Sequence, residues 1–153
     1  MIRLFHEADL GPLRRMICHT IDVSYSGVYP PRAVQFFKDH HFERRIAERS
    51  ITGEILVAER DGSIQATGAL VGSEIVGVFV HPDYQWQGHG KAIMTELERR
   101  AKAKALSEIA LSVSLPSRRF YESLGYEVLA GCSLDVGEGQ CLDYWPGRKS
   151  LTS

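Results

Sequence analysis

"VHPDYQWQGHGKAIM", residues Val80 to Met94, decides how this chain is read. An apolar run ends in His81-Pro82 and passes through Gln85, Gln87, Gly88 and Gly90. A helical pattern then begins, with Ile93, Leu97, Ala101 and Ala105 four apart. A strand–glycine loop–helix unit presents free main-chain N–H groups at a helix start. Those donors and the helix dipole suit a phosphate or diphosphate. Glycine at 88 and 90 removes side chains that would hold an anion off the backbone.

Three phosphate-binding patterns compete for this loop. A P-loop requires G-x-x-x-x-G-K-[ST]. Here Ala92 follows Gly90-Lys91, and Gln85 stands where the first glycine belongs. A dinucleotide fingerprint requires G-x-G-x-x-G directly after a strand. Ile93 occupies its third glycine position, and several residues separate the loop from the strand. The third pattern, Gln-x-x-Gly-x-Gly, fits at Gln85, Gly88 and Gly90.

Working outward, "EILVAERDGSIQATGALVG" reads as a hairpin turning at Asp61-Gly62, and "SEIVGVFVHP" as a β-branched strand stopped by Pro82. Upstream lie a short strand at Ile2–Phe5, a helix over Glu7–Val23 and a second helix over Pro31–Glu48 with Phe36 and Phe37 inward. Downstream of the helix over Gly88–Leu106, whose outer face offers Glu96–Arg100 and Glu98–Lys102 pairs, "EIALSVS" is a strand. "PSRRFYESLG" is a short helix capped by Gly125, and "YEVLAGCSL" with "QCLDYW" closes the chain as a hairpin. The order β-α-α-β-β-β-α-β-α-β-β predicts an α/β (α+β) domain: a mixed, mostly antiparallel sheet of about seven strands with four helices. One domain over 1–147 is expected, with 148–153 fraying as a charged tail.

Composition narrows the function. The chain of 153 residues has a net charge of -1 and no basic cluster, which argues against a nucleic-acid partner. No window approaches a membrane span, and the charged N-terminus lacks the apolar stretch of a secretory signal. Three cysteines without a Cys-x-x-Cys pair suit a reducing compartment, so a cytoplasmic location is expected. Six histidines show no metal-ligand spacing, and they read as surface residues.

The loop "VFVHPDYQWQGHGKAIM" resembles the acetyl-CoA loop of the GNAT N-acetyltransferase superfamily. About thirty residues on, "SRRFYESLGYEV" resembles that superfamily's second signature, F-Y-x-x-x-G-[FY]. The resemblance is close from Ser73 to Leu129. It implies acetyl-CoA as co-substrate, its diphosphate held by N–H groups of Gln85, Trp86, Gln87, Gly88, His89, Gly90 and Lys91, and its arm lying along Val78, Phe79 and Val80. An acceptor amine, small-molecule or peptide, is implied too, and similar proteins are often homodimers.

Ser114, Ser117 and Tyr121 fall at i, i+3 and i+7, one face of a helix. They could line a cofactor groove, or Tyr121 could be a half-buried phenol bonded to backbone. The resemblance favours Tyr121 as the acid that protonates the leaving thiolate. Strand alternation puts Glu74 on a face with Val76, Val78 and Val80. In the histone-acetyltransferase branch a glutamate at this offset is the general base; otherwise Glu74 is a solvated strand end. The resemblance also implies a main-chain N–H near Val78 for the oxyanion, on a strand that splays from its neighbour. Tyr25 and Tyr29, at the helix break, either face the acceptor or pack the turn. The reaction expected is N-acetylation of an amine; the alternative is a silent module that senses acyl-CoA.

Overall fold

The Asp61-Gly62 turn behaves as its sequence asks. Both residues take left-handed φ (52° and 79°) and join strands β2 (Glu54–Arg60) and β3 (Ser63–Val71). The computed structural model describes residues 1–152. Chain order continues from β1 (Ile2–Leu4) through α1 (Leu10–Tyr25), α2 (Pro31–His40) and α3 (Glu43–Thr52) to this hairpin. Then come β4 (Glu74–Val80), α4 (His89–Ala103), β5 (Glu108–Ser114), α5 (Arg118–Ser123), β6 (Glu127–Val128), β7 (Cys132–Gly137) and β8 (Gln140–Ser150). The sheet runs β1-β2-β3-β4-β5-β8-β6, with β7 also pairing β8. All pairs are antiparallel except β4–β5.

Alternating residues send side chains to two cores. Leu56 joins Leu70, Ile93, Leu97 and Ile109 under α4, while Ile55 and Val57 join Ile17, Ile21 and Ile46 under α1 and α3. No helix among the described residues is long and apolar enough to cross a membrane.

Two irregularities open the middle of the sheet. The parallel β4–β5 ladder holds only at Glu74↔Ala110 and Ile75↔Leu111, so the strands diverge from Val76 onward. On its other side, β4 pairs Val76 with Ala69 and Phe79 with Thr67, which leaves Gly77 and Val78 opposite Gly68 alone. This is a β-bulge, with Gly77 at φ 63°.

The mixed α/β class expected from the sequence is what folds, with eight strands and five helices. Five local expectations are corrected. The helix expected over Pro31–Glu48 is two helices, because the chain turns at His41 and Phe42 to bury His41. Phe36 is exposed rather than inward, whereas Phe37 packs against the core. "YEVLAGCSL" is two strands, broken between Val128 and Cys132 and laid along different parts of β8. The tail is not frayed from 148: β8 runs to Ser150, Arg148 pairs with Glu127 at 3.1 Å and Lys149 with Glu98 at 2.9 Å. Residue 153 lies outside the described residues. On α4, Glu96 meets Arg100 at 3.0 Å as its spacing predicts, but Glu98 turns to Tyr126 and Lys149 instead of Lys102.

Candidate active site

The glycine loop enters from β4 through a single turn at Pro82–Tyr84, and Gln85 Nε2 donates back to the Val80 carbonyl at 3.1 Å, closing its base. Trp86 takes φ 67° and is fully exposed; Gly88 takes φ 86° and caps α4. Among the described residues, no group accepts a hydrogen bond from the main-chain N–H of any residue from Gln85 to Lys91; the first such bond runs from Ala92 to the Gly88 carbonyl. Gln87 and Lys91 are exposed, and His89 half-buried.

The two glycines serve different ends. A Cβ at Gly88 would meet nothing within 4 Å, so the left-handed backbone alone requires glycine there. A Cβ at Gly90 would stand 3.1 Å from the Phe120 ring. Gly90 therefore also lets α4 approach α5.

Below the loop, the diverging strands hold a cavity of about 270 Å³. Its wall includes Gly77, Val78 and Phe79 from β4 and Ser112 and Ser114 from β5. Ser117 and Tyr121 reach it from the turn and helix that follow. Ser114, Ser117 and Tyr121 do converge, although they come from a strand end, a 3-10 turn and α5 rather than from one helix. Tyr25 donates to Ser114 Oγ at 3.1 Å, and Ser114 and Ser117 Oγ lie 2.6 Å apart. The chain of hydroxyls can thus leave the Ser117 hydrogen for a ligand. Tyr121 is buried, yet its hydroxyl has no hydrogen-bond partner among the described residues. Burial first, then nearby Tyr25, pushes its pKa well above the usual 10.

Glu74 also lines this cavity, at the end where β4 and β5 still pair, and is exposed. Its expected alignment with Val78 and Val80 is corrected. The bulge inserts one residue, so Val76 packs with the α1–α3 core while Val78 and Val80 pack under α4. Val78 has no register partner on β3 or β5. Val80 pairs Ala66 at the strand's end.

The two tyrosines at the helix break part company. Tyr25 is on the cavity wall. Tyr29 is buried away from it, donating to the Asp143 carbonyl at 2.8 Å and accepting from the Leu115 N–H at 2.9 Å, so it struts the fold.

Sequence reasoning missed other parts of the wall, among them Phe36, His40, His41, Leu134, Leu142 and Tyr144. The reading of the histidines as surface residues fails at His41, which is 5% exposed. Its Nδ1 lies 3.2 Å from Arg49 Nη1, and its ring meets Phe79 edge-on at 4.9 Å. The lone signal was the polar "HH" inside what read as one helix.

The same residues carry the relationships of this chain. Residues 52–128, which hold the bulge, the loop and Tyr121, match the acetyltransferase (GNAT) domain family. An amino-acid acetyltransferase of Azotobacter vinelandii is 32% identical over 85 residues, which cover 52% of this chain and 19% of that longer protein. A GCN5-related N-acetyltransferase from Rhodopseudomonas palustris superposes with a TM-score of 0.89 at 20% identity, covering 98% of this chain and 94% of that one. PaiA N-acetyltransferase from Thermoplasma acidophilum, solved in complex with coenzyme A, gives 0.81 at 18% identity, covering 98% of both chains. The fold is shared with these structures over nearly the whole chain, and the domain match includes both motifs in their expected places. The chain belongs to the GNAT acetyltransferase family.

Proposed function

We propose that this chain transfers the acetyl group of acetyl-CoA to a primary amine, the amine attacking the thioester directly within a ternary complex. One observation carries the reading. Every main-chain N–H from Gln85 to Lys91 lacks an acceptor among the described residues, at the N-terminus of α4 and beside the cleft where β4 leaves β5. A diphosphate fits donors of this kind. The amide-bearing arm of coenzyme A fits the edge of β4 from Val76 to Val80, which has no strand partner on the β5 side.

Three demands follow from the chemistry. The amine must lose a proton, the carbonyl oxygen gains charge, and the departing sulfur needs a proton. Glu74, on the cavity rim, accepts the amine's proton directly or through water. The N–H of Val78, a residue without a register partner on β3 or β5, is assigned to the developing oxyanion. Tyr121 protonates sulfur. A thiolate of pKa ~8.5 is a weaker base than a phenolate of ~10 in water. Inside one buried cavity, desolvation raises the basicity of both anions, so the short transfer remains accessible. The Ser117 hydroxyl, oriented through Ser114 and Tyr25, contacts the arm of the co-substrate.

The other reading is a silent module that binds acyl-CoA. The unpartnered Tyr121 hydroxyl favours the enzyme, since a sensor has no use for a buried phenol held without a partner. Titration calorimetry with coenzyme A, paired with thiol release across an amine panel, separates the two. The enzyme gives binding and amine-dependent thiol release; binding without release leaves the sensor.

A further inference from the structure

The acceptor side of the cavity is apolar, with Phe36, Phe37, Leu134 and Leu142 on its wall. Of the polar groups that share the cavity wall, His40 and Tyr144 among them, His41 is the most buried. His41 is buried on that wall, and Arg49 Nη1 is 3.2 Å from its Nδ1. A guanidinium only donates, so Nδ1 must accept. A neutral imidazole with Nδ1 as acceptor carries its hydrogen on Nε2. Burial, then Arg49, keeps the ring neutral by holding its pKa well below the ordinary 6.5.

The ring cannot swing freely. It sits edge-on to Phe79 at 4.9 Å and to His40 at 5.2 Å, and its Cε1 edge lies where a Cβ at Gly77 would be 3.4 Å away. Nε2 has no hydrogen-bond partner among the described residues, yet it is not sealed in protein; the unpartnered side-chain atom that is fully enclosed among the described residues is Arg14 Nε. His41 lines the cavity, and we assign its Nε2 to that space. His41 therefore cannot serve as the base: one nitrogen is occupied and the other already holds a proton.

We propose that His41 is a specificity-determining residue that donates from Nε2 to an oxygen on the acceptor, so that the acceptor is an amine with an apolar body and a neighbouring carbonyl or carboxylate. This rests on the acetyl-transfer reading. An unpaired donor in an apolar wall penalises any ligand that leaves it unpaired, which is how such a site discriminates. The apolar wall takes the body of the acceptor, and Glu74 at the rim takes the amine's proton.

Three acceptors that share a phenyl ring test this: phenylalaninamide, phenylalanine and phenethylamine. With acetyl-CoA, the better of the two oxygen-bearing amines should exceed phenethylamine about tenfold in kcat/KM, mainly through KM. Comparing amide with free acid tells carbonyl from carboxylate. The margin should shrink to about twofold or less in His41→Phe and persist in His41→Gln, whose amide N–H replaces Nε2–H. A second readout is independent of turnover. In ¹⁵N spectra of the wild-type protein with coenzyme A, the His41 ring should show Nε2–H, and that resonance should move on adding phenylalaninamide. Equal use of phenethylamine, a margin that survives His41→Phe, or an Nδ1–H tautomer overturns the assignment. If coenzyme A binds and no amine is acetylated, the transfer reading falls, and the ring resonance alone then judges His41.

Discussion

Two places in this chain are proposed to offer main-chain N–H groups to a ligand, and they are built in opposite ways. The loop from Gln85 to Lys91 is made locally, by a left-handed Gly88 with nothing packed where its side chain would be. The bulge at Gly77–Val78 is made by its neighbours. A Cβ at Gly77 would stand 2.8 Å from Arg49 Nη1 and 3.4 Å from His41, so α3 and the turn before it wedge against the strand at that point. A site made locally leaves a spaced motif in the sequence. A site made by tertiary contact leaves a lone glycine.

The comparison predicts that the bulge governs chemistry and the loop governs affinity. The largest effect should come from Gly77→Ala. Its left-handed φ costs an L residue about 1–2 kcal/mol, and the methyl displaces Arg49 or His41. Loss of the Val78 donor should then lower kcat about 100-fold, while calorimetry should find coenzyme A affinity within about threefold of wild type, because the loop is untouched. Affinity falling in step with turnover would erase the distinction between the two places.

Tyr121→Phe should come next, lowering kcat about tenfold or more, equivalent to about 1.4 kcal/mol, with the cofactor bound as before. The pH dependence has a definite sign. The active form is the protonated phenol, and burial raises its pKa above 10, so the proton is lost only as pH climbs through that raised value. Wild-type kcat should therefore show no decline attributable to Tyr121 between pH 8 and 10. A decline there that disappears in Tyr121→Phe would mean that the phenol titrates inside that range and that burial does not hold its pKa up. Glu74→Gln should cost less, about fivefold at neutral pH, and most at lower pH where the amine is protonated. A profile parallel to wild type would remove Glu74 from the mechanism.

How much of this was readable beforehand follows the same division. The hairpin at Asp61-Gly62, the loop and the second signature each depend on residues adjacent in sequence, and each folds where its pattern predicts. Glu74's face was misread because one bulged residue reverses every side chain after it, and nothing in "EIVGVFV" announces a bulge except Gly77. The split at His41–Phe42 was hidden for a related reason. "FKDHHFERR" carries acceptable helix formers throughout, and the break is driven by burying His41 against Phe79 and Arg49, contacts that lie far along the chain or on the next helix. The strand after Gly147 was read as a tail because its charges suggested solvent; they are instead paired with Glu127 on β6 and Glu98 on α4.

On the loop side, Gly88→Ala should weaken coenzyme A binding about fivefold to tenfold through backbone strain alone, leaving kcat at saturation near wild type. That is the mirror of Gly77→Ala. A variant with lowered kcat and unchanged affinity would mean the loop takes part in more than holding the cofactor.

The smallest effect lies in the wedge itself. His41 in the folded protein resists protonation, with a pKa well below 6.5, chiefly through burial and secondly through Arg49. Its folded value is depressed relative to the unfolded chain, so the unfolded state binds the proton more readily. The stability this contributes is complete above about pH 6.5 and is lost as pH falls from there toward the folded value. The slope reaches about 1.4 kcal/mol per pH unit at most. Asp9 and Glu54, also depressed, titrate below their ordinary values of 3.8 and 4.5, so they leave the span from pH 6.5 to 5 to the histidines. His40 is lowered too, by burial and then by Arg49 and Arg45, and serves as the control through His40→Gln. Urea unfolding across that span should show wild type losing stability by about 1 kcal/mol more than His41→Gln, with His40→Gln between them. Parallel curves would mean that the His41 ring is protonated in the folded protein, and Arg49 would then have to release Nδ1 and leave the bulge without its wedge.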